Sequence, residues 1–272
     1  MEIKAADVAK LRAMTGAGMM DCKKALVEAE GDFARAQDII CEKGKLVAAK
    51  RADRTATQGV VASKIVGQKG YMLCLACETD FVAQNADFVA ATNAILDIAV
   101  EADAADLDAL LAVVKDGKTV AEIVTEKSGQ TGEKVELAYY GKIEAPMCVT
   151  YIHMNSKLGT LIGFNKEIDK EVAKDVAMQA AAMAPVSIDK GDCDPKIIEH
   201  ERMIGREQAR QEGKPEAMLD KIAEGKVNKF LKENTLLNQD LVKNNKISVG
   251  TYIKEADKDA TVIAYKRFSL ND

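Results

Sequence analysis

Residues 59–82, GVVASKIVGQKGYMLCLACETDFV, contain the pattern that decides the fold. Two apolar runs, residues 60–66 and 71–77, flank the sequence GQKG at 67–70. Apolar runs on either side of a short glycine-containing turn predict an antiparallel β-hairpin. The chain then places Phe81 where a polar turn is expected, so this aromatic ring either fills the core or is presented to another molecule.

A second hairpin of the same plan is predicted near residue 146. Residues 147–153 alternate, NSKLG at 155–159 supplies a turn, and residues 160–165 form the return strand. A helix is predicted after each hairpin, over residues 86–100 and 169–183. Strand, turn, strand and helix therefore occur twice, which predicts a core of two repeated antiparallel-sheet-plus-helix subdomains.

The two copies differ at residues 79–85. The second copy passes directly from its return strand into its helix, whereas the first copy inserts residues 79–85 before its helix. Since the repeated scaffold does not require this insertion, the comparison favours presentation of Phe81 to a partner. It also predicts that removal of the ring leaves the fold intact.

Helical segments flank the two copies. Residues 1–54 predict three short helices, and residues 43–54, with five basic side chains, predict a linker or an exposed helical extension. Residues 195–211 and 215–237 carry a narrow apolar stripe that predicts a protruding antiparallel coiled coil. The alternating residues 260–268 return the chain to the core, so the coiled coil is predicted to be an insertion.

These patterns predict an α+β fold. Further helices are expected over residues 106–115 and 119–128. The predicted parts are an N-terminal three-helix domain with a basic linker (1–54), a first core subdomain (55–145), a second core subdomain (146–190 and 238–272) and a coiled-coil insertion (191–237).

Composition narrows the class of protein. The chain has 272 residues, of which 47% are apolar and 30% charged, as in a globular protein rather than a disordered one. A formal net charge of −5 argues against a protein devoted to nucleic acid. The sequence shows neither a membrane span nor a secretory or transit signal, so a cytoplasmic location is expected. The six scattered cysteines favour reduced, buried thiols.

Two motifs suggest chemistry that their surroundings do not support. Cys74 and Cys77 form a C-x-x-C pair, but on an alternating strand they point to opposite faces, which disfavours a metal or dithiol site. The G-x-G at residues 16–18 has no preceding strand and predicts an inter-helix turn instead of a phosphate site, so direct nucleotide binding is not expected. His153 and His200 are the only histidines, and no Ser, Cys or carboxylate cluster supplies a convincing acid/base set, so a hydrolase or transferase is disfavoured and no cofactor is expected.

Methionines at the start of the second predicted helix suggest a docking surface. Met19 and Met20 are followed closely by Lys23 and Lys24. Flexible, polarisable methionine side chains beside positive charge are typical of adaptable protein-binding surfaces. Burial of one of the two methionines in the small core is the alternative.

Two stretches of the sequence resemble the signatures of a known family. LRAMTGAGMMDCKKALVEA at residues 11–29, followed by Gly31-Asp32, is similar to the N-terminal signature of translation elongation factor Ts, and ETDFVA at residues 78–83 is similar to its second signature. Both stand in the family's order over a matching plan of modules. The resemblance covers nearly the whole chain.

The resemblance implies a guanine-nucleotide exchange factor for elongation factor Tu, a protein without covalent chemistry. In that family an Asp-Phe pair enters the partner's nucleotide domain, and Asp80 and Phe81 match it, with Thr79 and Val82 shaping the turn. The N-terminal domain, implied to be UBA-like, contacts the same partner domain.

Further contacts are implied at other sites. Met19, Met20 and Lys23 match the family's N-terminal contact surface, and His153 matches, in a looser alignment, a histidine that faces the partner's far domain. The coiled coil at 191–237 matches a segment through which some members form homodimers. Some members also carry a C-terminal helix that is not expected between the last predicted strand and the end of this sequence.

Two other functions stay open at this level. A scaffold or RNA-associated adaptor could use the three-helix domain for protein docking and residues 43–54 for phosphate contacts. An enzyme built on Cys77 and His153 is the third hypothesis.

Overall fold

The structure, a computed structural model, describes residues 3–271, so positions 1, 2 and 272 of the first and last predicted domains lie outside it. The helices are α1 (Ala5–Thr15), α2 (Met19–Glu28), α3 (Phe33–Lys50), α4 (Asp80–Ala83), α5 (Ala86–Ala102), α6 (Leu107–Ala112), α7 (Val120–Thr131), α8 (Lys170–Met183), α9 (Pro195–Gln211), α10 (Glu216–Asn234) and α11 (Val249–Ala256). The strands are β1 (Gln58–Val66), β2 (Lys69–Cys77), β3 (Val114–Lys115), β4 (Lys118–Thr119), β5 (Glu136–Glu144), β6 (Met147–Ile152), β7 (Leu158–Phe164), β8 (Asp240–Leu241), β9 (Asn244–Ser248) and β10 (Val262–Ser269). This mixture of helix and sheet confirms the predicted α+β class.

Two three-stranded antiparallel sheets of the same plan form the core. Their strand orders are β1-β2-β5 and β10-β7-β6. In each sheet the second strand of a hairpin is central, and a strand from later in the chain pairs with its other edge. The plan of strand, turn, strand and helix therefore continues into a third strand in both copies.

The two sheets pack face to face, with helices on their outer faces. Met72, Cys74 and Leu161 are buried between the sheets, and Gly159 allows them to approach, since a Cβ there would lie 2.8 Å from the Met72 sulfur. Helices α5, α6 and α7 cover the first sheet, and α8 and α11 cover the second. Strand β2 is buried on both faces, which explains its continuous apolar run.

The N-terminal helices pack around a small core of their own and contact α7. Leu11, Cys22 and Leu26 are fully buried in that core. Of the two structures expected for residues 43–54, the helical extension is correct up to Lys50, because α3 continues that far. Gly44 of α3 faces α7, and a Cβ on Gly129 of α7 would lie only 2.4 Å from the Gly44 Cα. Helices α3 and α7 therefore cross in direct backbone contact.

One predicted helix is shorter than expected, and several strands were not predicted. The helix expected over 106–115 ends at Ala112, since Asp116 (φ 52°) and Gly117 (φ 80°) form the tight turn of the β3–β4 hairpin. Strand β5 was not predicted, because a register shift opposite Cys74 and Leu75 interrupts its alternation. The small β8–β9 hairpin was also missed.

Helices α9 and α10 form an antiparallel pair that packs mainly on itself. Buried positions of α10 recur every four residues at Leu219, Ala223, Val227 and Leu231, and Gly205 of α9 lies against Ala223. Ion pairs such as Arg202 with Glu224 line the outside of the pair. Within residues 3–271, no helix is both long enough and apolar enough to cross a membrane.

Candidate protein-binding site

The TDFV segment, residues 79–82, forms the start of a one-turn helix. The sequence predicted a loop here, but Thr79 acts as an N-cap, its hydroxyl accepting a hydrogen bond from the Val82 N–H at 3.4 Å, and α4 follows. The predicted loop is therefore a short helix with an ordered start.

The helical turn decides which side chains face the solvent. Ala83 is buried in the core of the first sheet and Val82 packs against that core. Because successive helical residues are rotated by about 100°, the residues that precede them point outward. Asp80 is exposed, and the Phe81 ring is 85% exposed, which answers the question of whether it fills the core. Phe88 on the next helix, by contrast, is 2% exposed.

The carboxylate of Glu133, just after the end of α7, holds the start of the TDFV segment. One oxygen of Glu133 accepts hydrogen bonds from the backbone N–H groups of Glu78, at 3.1 Å, and Thr79, at 3.0 Å. Its other oxygen accepts from the Thr79 hydroxyl at 2.6 Å. Hydrogen bonds to an ionised acceptor are stronger than neutral ones, so three of them fix the backbone just before the exposed ring.

Glu78 makes the reciprocal contact. Its carboxylate accepts from the backbone N–H of Lys134 at 2.6 Å and, through both oxygens, from Arg51 at 2.8 and 2.9 Å. The Lys134 N–H and the Arg51 guanidinium lower the pKa of the Glu78 carboxyl, so this group is ionised at neutral pH. Since Arg51 ends α3, the bridge joins the N-terminal helices to the TDFV segment.

The same end of α7 also contacts the turn before α2. The Gln130 side-chain amide donates to the carbonyl of Thr15 at 2.5 Å. Gly16 (φ 66°) ends α1, so the predicted inter-helix turn is present. The turn that precedes α2 and the TDFV segment are thus both held by residues 130–133.

The methionines at the start of α2 are exposed. Met19 is 44% and Met20 65% exposed, so neither fills the small core, and Lys23 also faces the solvent. Together with Phe81, they place large exposed apolar side chains at both of the predicted contact regions.

His153 lies in the second half of the core. It is exposed after β6, and its Nδ1 lies 3.0 Å from the Tyr151 hydroxyl. The turn that follows contacts β1, because Lys157 donates to the side chain of Gln58, whose strand partner is Cys77 at the end of β2. His153 thus lies in the second sheet, away from the TDFV segment, and the turn beside it contacts the first sheet at β1. Met154, which sequence reasoning did not select, is 95% exposed beside it.

The cysteine pair is buried in two separate cores. Cys77 lies on the helix side of the first sheet and Cys74 between the sheets, as the alternation predicts. Burial raises the pKa of both thiols to about 12. Cys77 donates to the Thr79 carbonyl at 3.2 Å, while His153 pairs with Tyr151, so the structure does not join these two residues as an enzyme would require. In the described part of the chain, no group of three or more His, Cys, Asp or Glu residues is arranged to hold a metal ion.

The basic residues proposed for RNA contacts are partly neutralised. Lys43 forms an ion pair with Asp21, and Arg51 forms one with Glu78. Two of the five basic side chains in residues 43–54 are therefore engaged within the protein. This observation weakens the adaptor hypothesis.

Sequence reasoning missed the residues that hold the TDFV segment. In the sequence, the TDFV segment is far from Glu133 and Arg51, and the turn before α2 is far from Gln130. The local pattern around these three residues is that of ordinary exposed polar residues. A signal would have come from the pairing of β2 with β5, which ends at Ala76 and Glu136 and, continued in the same register, would place residues 133 and 134 opposite 79 and 78.

Comparisons with known proteins agree with the resemblance that residues 11–29 and 78–83 carry. A family model described as elongation factor TS matches residues 78–272. Elongation factor Ts of Porphyromonas gingivalis is 46% identical over 272 residues, which cover 100% of this chain and 99% of the relative. The proteins of the same name from Cytophaga hutchinsonii and Christiangramia forsetii are 48% and 46% identical, with 99% of each chain covered. Because the family model matches well over half of the chain and these relatives align with nearly all of it, the chain belongs to the elongation factor Ts family of translation elongation factors.

Proposed function

We propose that this protein is a guanine-nucleotide exchange factor that binds the GDP form of elongation factor Tu and promotes GDP release. Asp80 and Phe81 enter the nucleotide domain of the partner, the ring lodges between two helices there, and GTP can then rebind. The observation that carries the proposal is the 85% exposure of Phe81 on a short helix whose start is fixed by charge-assisted hydrogen bonds.

The exposed ring suits insertion into a partner. An aromatic side chain is rigid and loses little conformational entropy on binding, whereas its burial in an interface gives a large apolar contribution. Phe81 keeps this apolar surface free, since the neighbouring Val82 and Ala83 face the core instead. Asp80 adds a negative charge beside the ring, where it complements or repels polar groups near the bound phosphates.

Insertion of one side chain does not by itself offset tight nucleotide binding. Reciprocal linkage supplies the remainder, because an exchange factor that weakens GDP binding is itself bound more weakly when GDP is present. In this proposal the coupling is spread over Phe81, Asp80, the Met19–Met20 surface with Lys23, and a contact of the second core subdomain near His153 with the partner's last domain. The protein needs no covalent step and no cofactor for this action.

The proposal is tested by GDP release from elongation factor Tu. The partner is loaded with a fluorescent GDP and mixed by stopped flow with increasing concentrations of this protein and excess unlabelled nucleotide. We expect a release rate that rises with concentration and saturates. An unchanged release rate at all concentrations, together with RNA binding that weakens as salt rises, would instead favour the adaptor function.

A self-association surface on the coiled coil is a second part of the proposal. Helices α9 and α10 pack mainly on one another and leave Met203 (57% exposed) and Met218 (48% exposed) at the surface. Sedimentation analysis of the full chain, with and without elongation factor Tu, measures the mass of the complex. A dimer that dissociates on replacement of Met203 and Met218 by glutamate supports this contact, and a monomer at all concentrations contradicts it.

A further inference from the structure

We propose that Glu133 is a positioning residue for nucleotide exchange: it fixes the backbone at the start of the TDFV segment, and thereby the direction in which the chain presents Phe81, before the partner arrives. This inference rests on the proposed function of Phe81. Glu133 does not belong to the signature at residues 78–83, and it contacts the segment only through the folded structure.

The position of Glu133 follows from the pairing of β2 with β5. The last partners in this ladder are Leu75 with Leu137 and Ala76 with Glu136. Continued in the same register, the ladder would place 78 opposite 134 and 79 opposite 133. At these positions side-chain carboxylates take the place of backbone carbonyls: Glu133 accepts from residues 78 and 79, and Glu78 accepts from residue 134. The strand pairing is thus extended by an exchange of two carboxylates just where the chain turns into α4.

The TDFV segment needs such support because its own structure is minimal. Helix α4 contains four residues, and its closing backbone bonds run from Ala83 to the Thr79 carbonyl and from Gln84 to the Asp80 carbonyl. A single helical turn is not stable in water by itself. The ring of Phe81, being exposed, gains no orientation from packing. The direction in which the backbone presents the ring is therefore set by two neighbours in the segment. Ala83, which follows in the sequence, is buried, and residues 78 and 79, which precede, are held by Glu133.

Arg51 extends this support to the N-terminal helices. It ends α3 and binds both oxygens of Glu78, and α3 in turn crosses α7 at Gly44 and Gly129. The end of α7 carries Gln130, which contacts the turn before α2. Residues 130–133 therefore contact both the TDFV segment and the turn that precedes α2.

The first test measures, without any partner, how often the backbone of the segment opens. Chymotrypsin cleaves after exposed phenylalanine when the local backbone opens, and mass spectrometry identifies the cut after Phe81. The variants are Glu133→Ala and the milder Glu133→Gln, and the matched control is Glu136→Ala, which removes a nearby carboxylate paired with Lys134 at 3.0 Å.

We expect Glu133→Ala to raise the rate of cleavage after Phe81 by about tenfold, because three hydrogen bonds to a charged acceptor are lost. Glu133→Gln gives a smaller rise, and the control stays within about twofold of the unchanged protein. Cleavage in both Glu133 variants at the control rate would overturn the inference. If Glu133→Ala does not fold, the Glu133→Gln comparison decides.

The second test separates positioning from a general structural role. Saturating GDP release from elongation factor Tu is measured for Glu133→Ala in the natural background and in a Phe81→Ala background. A residue that acts through Phe81 lowers the maximal rate roughly tenfold in the first background and less than about twofold in the second. An equal loss in both backgrounds would overturn the inference. Should Phe81→Ala alone leave release unchanged, the proposed function fails, and the cleavage rates still decide whether Glu133 holds the segment.

Discussion

Replacement of Phe81 by alanine should slow GDP release while it leaves the fold intact. The ring is 85% exposed, so nearly all of its apolar surface is available for burial in a partner. Full burial of a phenylalanine contributes about 1.5–3 kcal/mol, and 85% of that range gives ~1.3–2.5 kcal/mol. We take ~2 kcal/mol as the interaction free energy lost with the ring, and each 1.4 kcal/mol corresponds to a factor of about ten. The maximal rate of GDP release should therefore fall by roughly 25-fold.

The same exposure predicts little change in stability. A surface substitution away from the core changes the free energy of unfolding by about 0.5 kcal/mol or less. Phe88→Ala provides the contrast, because this side chain is 2% exposed and its truncation should cost about 3–5 kcal/mol in unfolding free energy.

The assay combines stopped-flow release of fluorescent GDP with urea unfolding of each variant. Val114→Ala is the matched control for exchange, since Val114 is another exposed apolar side chain, 63% accessible, on the β3–β4 hairpin. The reasoning is refuted if, at saturation, the folded Phe81→Ala protein promotes GDP release from elongation factor Tu at a rate within about threefold of that with the natural protein. It is refuted in another way if Phe81→Ala lowers the unfolding free energy as much as Phe88→Ala does, because the ring would then belong to the core.

Three further predictions concern packing, thiol reactivity and pH. Gly129→Ala places a Cβ 2.4 Å from the backbone of α3 and should lower the unfolding free energy by about 1–3 kcal/mol. Gly225→Ala, at an exposed helical position with open space around it, should raise the unfolding free energy by about 0.5–1 kcal/mol. Equal effects of the two substitutions in urea titrations would contradict the close crossing of α3 and α7. Because burial raises the pKa of Cys74 and Cys77 to about 12, both should resist iodoacetamide at pH 8 in the native protein and react after unfolding, as peptide mass spectrometry can determine. The pKa of Glu78 is lowered on folding, so its contribution to stability is complete above the ordinary value of 4.5 and is lost as the pH falls through the lower folded value. Glu78→Gln should therefore be less stable than the natural protein at pH 7, and the difference in unfolding free energy should shrink as the pH falls below 4.5. A difference that does not change with pH would argue against this ion pair.

Local patterns predicted much of the fold. The hairpin at residues 59–77 is encoded by neighbouring residues, and its repetition near residue 146 led to the two-sheet plan. The helix of residues 86–102 likewise follows from its own periodicity. Strand β5 could not be found in this way, because the register shift beside Leu75 removes the alternation on which such predictions depend.

The sequence singled out side chains of the candidate site that the structure shows to be exposed, but it did not indicate the residues that hold them in place. The unusual place of an aromatic after β2 singled out Phe81, and the methionines at the start of α2 stood out by type. Glu133 gave no such signal, because its hydrogen bonds join residues that are far apart in sequence and are brought together only by the β2–β5 pairing. The contact between Gly44 and Gly129 is of the same kind, since each glycine alone fits an ordinary helix.

The most direct measurement of the central proposal is a photochemical cross-link from position 81. p-Benzoylphenylalanine is incorporated in place of Phe81, the protein is mixed with elongation factor Tu under illumination, and mass spectrometry maps the linked peptides. The same replacement at Val114 serves as the exposed control. The account predicts cross-links from position 81 to the nucleotide domain of elongation factor Tu, with a yield that falls when excess GDP is added. Cross-links confined to another domain, or none from a variant that still accelerates GDP release, would contradict the insertion of this side chain.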